Sequence, residues 1–167
     1  MTKRRVFLYL ILIMALASFF RLWKIKTIPP GFSYDESMYA NNAVEAWETG
    51  HFKLFYTENN GREGLFINIQ ALSLMLFGNE PWALRLVSAI FGVLTILGVY
   101  LLTKELFGKE YQVSSIKYQG NKKSTLNTKY QILNTEVVAL LSSFFLATSY
   151  WHINFSRIGF RAIAVPF

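Results

Sequence analysis

LVSAIFGVLTILGVYLL, Leu86–Leu102, runs for 17 residues without a charge, and Trp82 stands just ahead of it. About 20 apolar residues in a helix cross the hydrocarbon core of a bilayer, and aromatic rings favour the interface at either end. The stretch predicts a membrane-spanning helix over about 84–102, and so an all-α integral membrane protein. Composition points the same way, with 53% hydrophobic and 16% charged residues and a mean hydropathy of +0.29. Such clustered apolar content argues against a soluble domain. The formal charge of +7 does not indicate nucleic acid, because the basic residues flank apolar runs and form no stripe. With no Cys, disulfides and thiolate metal sites are excluded.

Working outward, Val6–Phe20 is a second apolar run behind Lys3, Arg4 and Arg5. It reaches spanning length if it continues to about residue 23 with Arg21 snorkelling. A cleavable signal peptide ending at Ala15-Leu16-Ala17 is the rival reading, but Phe19, Phe20, Leu22 and Trp23 extend the apolar face beyond that point. A third span is expected over about 137–156, and the short apolar run 65–77 is expected as an interfacial helix. The loop 103–136 holds six Lys against three Glu, whereas the region 21–81 holds seven acidic residues against five basic ones. The Lys-rich loop should therefore be cytoplasmic, together with the amino terminus, and the loop 24–83 should lie on the outer face. Alternation around Gln119-Gly120-Asn121 suits a hairpin in the Lys-rich loop, and disorder suits it equally.

The outer loop carries the candidate chemistry. Pro29-Pro30-Gly31 forces a turn, Ser33-Tyr34-Asp35 supplies a capping side chain, and a second interfacial helix is expected over about 36–49, ended by Gly50. On this local reading Asp35 caps the helix and Glu36 favours its positive end. A polar cluster follows, Glu58, Asn59, Asn60, Arg62 and Glu63, which by itself reads as a solvated turn. His51 and His152 read as packing residues, since no further ligand accompanies either. Asn154-Phe155-Ser156 matches a glycosylation acceptor pattern only by coincidence at a span end.

The order of PPGFSYDE, then LFINIQALSLMLFG, then ALRLVSAIFGVLTILGVYLLTKELFG resembles the start of a polyprenyl-phosphate-sugar-dependent glycosyltransferase of the GT-C fold. It is most similar to the bacterial branch of the dolichyl-phosphate-mannose–protein mannosyltransferase family, which includes the lipid A aminoarabinose transferase. The resemblance implies a multi-span helical bundle, of which this chain is the amino-terminal part. It also implies a multi-pass protein of the cell (plasma or inner) membrane. The reaction implied is sugar transfer from a polyprenyl-phosphate-linked donor to an acceptor hydroxyl on a protein, glycan or lipid. Asp35 takes the catalytic acidic position of the first outer loop. The turn before the interfacial helix keeps a basic residue, Arg62, but reads Arg62-Glu63-Gly64-Leu65 where relatives carry prolines.

A hydroxyl acceptor needs a carboxylate to take its proton, the role expected of Asp35. A lipid phosphate leaves as an anion, so guanidinium groups should hold it. Arg157 and Arg161, four residues apart at the outer end of the third span, are candidates, and interfacial anchoring is the alternative. Glu36, Tyr39, Glu58, Arg62 and Glu63 complete the expected substrate-binding set. No spacing is diagnostic of a metal, and a divalent cation held with Asp35 stays open. The non-enzymatic alternative is an accessory or scaffold subunit that binds a partner through this outer loop.

Overall fold

The computed structural model describes residues 2–58, 61–108, 135–164 and 166. Asn59, Asn60 and most of the Lys-rich loop, with the expected hairpin, lie outside these residues. The described chain is mostly helical: α1 Lys3–Leu22, α2 Tyr34–Thr49, α3 Gly64–Phe77, α4 Pro81–Gly108, α5 Thr135–Thr148 and α6 Tyr150–Arg157. Two short strands, β1 Phe55–Tyr56 and β2 Arg62–Glu63, pair antiparallel with Tyr56 opposite Arg62. A 3-10 turn follows at Arg161–Ala164.

α1 and α4 are long and apolar enough to cross a membrane. Most of the apolar window of α1 lies on the outside of the molecule, where Phe7, Leu8, Leu12 and Phe19 are exposed. A core helix of a soluble protein would bury that surface. α4 begins with Pro81, whose fixed φ and missing N–H suit a first helical position. It packs against α1, α3, α5 and α6 and is the central column of the fold. At the end of α4 nearest the Lys-rich loop, Lys104 pairs with Glu136 at 2.9 Å and the Tyr100 hydroxyl donates to Glu136 at 2.8 Å.

The expected single helix over 137–156 is instead two helices, with Ser149 extended between them. Arg21 gives the physical reason. Its Nη1 donates to the Ala147 carbonyl at 3.1 Å and its Nη2 to the Leu146 carbonyl at 3.5 Å, acceptors that a continuous helix would offer to the next turn. The guanidinium also meets His152 Nδ1 at 2.7 Å and Ser156 Oγ at 3.3 Å. Arg21 is wholly buried and does not snorkel. Arg157 reciprocates at the end of α1, donating to the carbonyls of Phe20 and Trp23 at 2.7 Å and Ile28 at 2.9 Å. Each arginine thus closes the carboxyl end of the helix that the other side of the bundle presents, where the dipole favours a cation.

This corner is tight. A Cβ on Gly92 of α4 would lie 2.7 Å from Ser156 Cβ and 3.3 Å from Arg21 Nε, whereas a Cβ on Gly98 would meet nothing within 4 Å. Small residues at such contacts let helix backbones approach. Gly92→Val is expected to cost about 1–3 kcal/mol through overpacking. Gly98→Ala should be neutral or gain up to about 1 kcal/mol from helix propensity. Thermal unfolding of the detergent-solubilised variants checks both.

Candidate functional site

The site grows from the first turn of α2. Ser33 is its cap: the hydroxyl accepts from Glu36 N at 3.3 Å, and the Glu36 carboxylate accepts from Ser33 N at 3.3 Å. This reciprocal capping box satisfies two otherwise orphaned N–H groups. Asp35 is therefore not the cap. It is exposed, and its side chain makes no hydrogen bond or ion pair with any described residue.

Glu36 has a second task. It is 2% exposed, and Arg85, also 2% exposed and in the second turn of α4, grips it through Nε at 2.6 Å and Nη2 at 3.2 Å. Arg85 also donates to the carbonyls of Pro29, at 2.7 Å, and Gly31, so it ties down the turn before α2. Gly31 has φ +72°, a conformation glycine adopts without strain. The Gly159 N–H reaches Glu36 Oε1 at 3.2 Å, and a Cβ there would press on Gln70 and Glu36. One carboxylate thus joins α2, α4 and the segment after α6 through charge-assisted bonds.

Arg62 is likewise no solvated turn residue. It is 3% exposed, its Cζ lies 4.9 Å from the centre of the Tyr39 ring, and its Nη1 has no acceptor. Pairing of β1 with β2 turns Arg62 inward onto α2 while Glu63 faces out. The hairpin closes with Gly64 N on the Leu54 carbonyl at 2.8 Å, and any Cβ at Gly64 would collide with the Lys53 carbonyl. Beneath it, buried Tyr56 donates to Asn68 Oδ1 at 2.9 Å, and burial pushes the Tyr56 phenol up from its usual value.

Glu63 pairs with Arg161 at the mouth of a groove of about 450 Å³ walled by Leu65, Phe66, Phe91 and Ala164. The structure therefore brings Asp35, Glu36, Tyr39 and Arg62 together around α2 and sets Glu63 and Arg161 on the far face of β2. Glu58 is exposed on the hairpin connection, and Arg157 is occupied with backbone carbonyls under α1. Among the described residues no three His, Asp or Glu side chains gather as a metal site would require. His51 is exposed, and His152 packs against Arg21.

Sequence reasoning missed Arg85. Arg85 had a readable signal, a formal charge at the edge of an uncharged run, which in a spanning helix marks a paired or functional group.

The model of the family described as dolichyl-phosphate-mannose-protein mannosyltransferase matches residues 65–156, that is α3 through most of α6, and leaves Asp35 outside the match. The chain is 28% identical over 117 residues to the Bacillus subtilis (strain 168) protein named "Putative mannosyltransferase YkcB". The alignment covers 64% of this chain and 15% of that protein. No solved structure matches. With a family match over more than half of its length, lying across the helices that carry Arg85 and frame the groove, the chain belongs to the dolichyl-phosphate-mannose-protein mannosyltransferase family.

Proposed function

We propose that this chain contributes the catalytic base and donor-phosphate contacts of a membrane glycosyltransferase with a multi-span GT-C bundle. The enzyme moves a sugar from a polyprenyl-phosphate carrier to an acceptor hydroxyl at the outer face of the cell membrane. The observation that carries the proposal is the division of labour at the start of α2. Ser33 and Glu36 do the capping, Arg85 and Gly159 lock Glu36, and Asp35 is left as an exposed carboxylate on a fixed turn. A carboxylate free of structural duties, on a backbone tied down by its neighbours, is open to take a proton as a general base.

In the reaction Asp35 takes the proton of the acceptor hydroxyl as its oxygen bonds to the anomeric carbon. The bond from that carbon to the phosphate oxygen breaks, and the polyprenyl phosphate departs as an anion. Arg62, buried and cationic with an unused N–H, offsets the charge on the phosphate. Arg161 at the mouth of the apolar groove suits the lipid end of the donor, with Glu63 orienting it. Tyr39 backs Arg62, Glu36 holds the turn that carries Asp35, and exposed Glu58 is assigned to acceptor binding. Arg157 contributes by holding the end of α1. The cytoplasmic amino terminus and the outer-face placement of Asp35 belong to this reading and rest on the charge bias of the loops.

The test is donor class. The native protein in vesicles should transfer sugar from a polyprenyl-phosphate-linked donor, releasing polyprenyl phosphate in equal amount. Transfer from a nucleotide sugar with none from the lipid-linked sugar would overturn the reading.

A further inference from the structure

Toward the amino-terminal end of α1, this helix and α5 leave a groove between them. Its volume is about 380 Å³, with Tyr9, Leu12 and Leu16 on one wall and Val137, Leu141 and Phe144 on the other. These positions follow the helical repeat, so each helix gives the groove one apolar stripe. Leu12 is 63% exposed and Leu141 46%, so the walls are not closed by any described residue. From Tyr9 to Leu16 the groove runs about 10 Å along α1, at ~1.5 Å per residue. A helix is about 10–12 Å across with its side chains, so a segment of that length takes roughly twice the volume present. A single acyl chain is narrow enough to lie there.

The α1 stripe continues to Arg5, one turn ahead of Tyr9. Lys3, Arg4 and Arg5 form the first turn, all exposed, and none has an ion pair with a described residue. That turn holds no acidic residue, and three cations at a helix start oppose the dipole. Glu136, the acid beside Val137, is engaged by Lys104 and Tyr100 of α4. A basic turn without a local counter-charge thus stands one turn from an apolar slot. A phospholipid with an anionic headgroup has the same two parts in the same order. Tyr9, half exposed, sits where they meet, and amphipathic rings favour that level of a bilayer.

We propose that this groove binds one anionic phospholipid from the leaflet on this side of the membrane, its acyl chain between α1 and α5 and its phosphate on Arg5. The site is independent of sugar transfer, since none of its residues belongs to the outer loop. Arg21 clasps the same two helices at their other end, and the lipid spans them at this one.

The test uses the native protein, delipidated in detergent and titrated with phosphatidylglycerol or with phosphatidylcholine of the same acyl chains. Native mass spectrometry counts the bound lipid. Each Lys or Arg near an anionic headgroup is worth roughly fivefold in affinity. One phosphatidylglycerol should therefore bind about tenfold or more tighter than phosphatidylcholine and raise the unfolding midpoint. Arg5→Gln should weaken phosphatidylglycerol about fivefold and leave phosphatidylcholine unchanged, whereas Arg4→Gln, off the groove stripe, should weaken it less. Leu141→Trp fills the groove from an exposed wall and should abolish binding of that lipid; if this variant does not fold, Arg5→Gln decides alone. Equal affinity for the two lipids would reduce the groove to ordinary bilayer contact and overturn the proposal. A preference for phosphatidylglycerol that Arg5→Gln leaves intact would place the lipid elsewhere and overturn it too. No bound lipid, with a lowered midpoint in Leu141→Trp, would show that another helix covers the groove, which also overturns it.

Discussion

Asp35→Asn is expected to lower sugar transfer by about 10²–10⁴-fold, the usual worth of a positioned general base. The substitution keeps size and shape, and Asp35 has no partner among the described residues to lose. The capping box of Ser33 with Glu36 and the grip of Arg85 do not involve it. Thermal unfolding and prenyl monophosphate binding should therefore match the wild type, and the whole effect should fall on turnover. Asp35→Glu keeps the carboxylate but moves it by a methylene, so a partial loss is expected. Activity of Asp35→Asn within threefold of wild type would remove Asp35 from the chemistry.

Arg85→Met is expected to damage both fold and activity. It leaves the Glu36 carboxylate, 2% exposed, without its charge partner, and breaking a buried pair in this way costs about 3–5 kcal/mol. It also releases the Pro29 and Gly31 carbonyls that fix the turn before Asp35. Arg85→Lys keeps the charge but lacks the planar fork that reaches four acceptors at once, so it should recover only part of the loss. The double variant Arg85→Met with Glu36→Gln should be more stable than Arg85→Met alone, because no buried charge is stranded. It should stay poorly active, because the turn is still untied. Unfolding midpoints and transfer rates of Arg85→Met, Glu36→Gln and the double variant separate the two effects. Additive losses would show that Arg85 and Glu36 act independently.

The sequence made the helical, apolar character of the chain legible, because hydropathy and charge record it residue by residue. The local reading gave the cap to Asp35, whereas the signature present, Ser33-Tyr34-Asp35-Glu36, is that of a capping box, and the structure gives the cap to Ser33. The break at Ser149 could not be read locally. Residues 137–156 contain no Pro, no Gly and no charge, and the arginine that draws off the Leu146 and Ala147 carbonyls comes from the end of α1. Arg62 and Arg157 read as surface cations for a similar reason. Their burial follows from the β1–β2 pairing and from packing of α6 against α1, which are long-range facts that spacing does not encode. The candidate site was thus half visible. Its acidic residue stood out as a motif, whereas its scaffold, Arg85 clamping Glu36, joins positions 49 residues apart.

The measurement that bears most directly on Asp35 as the base is the anomeric configuration of the product made from a polyprenyl-phosphate-linked sugar by the native protein. A base that activates the acceptor for a single in-line displacement predicts inversion relative to the donor. Retention would require a covalent sugar–enzyme intermediate, with a carboxylate as nucleophile in place of base, and would contradict the account.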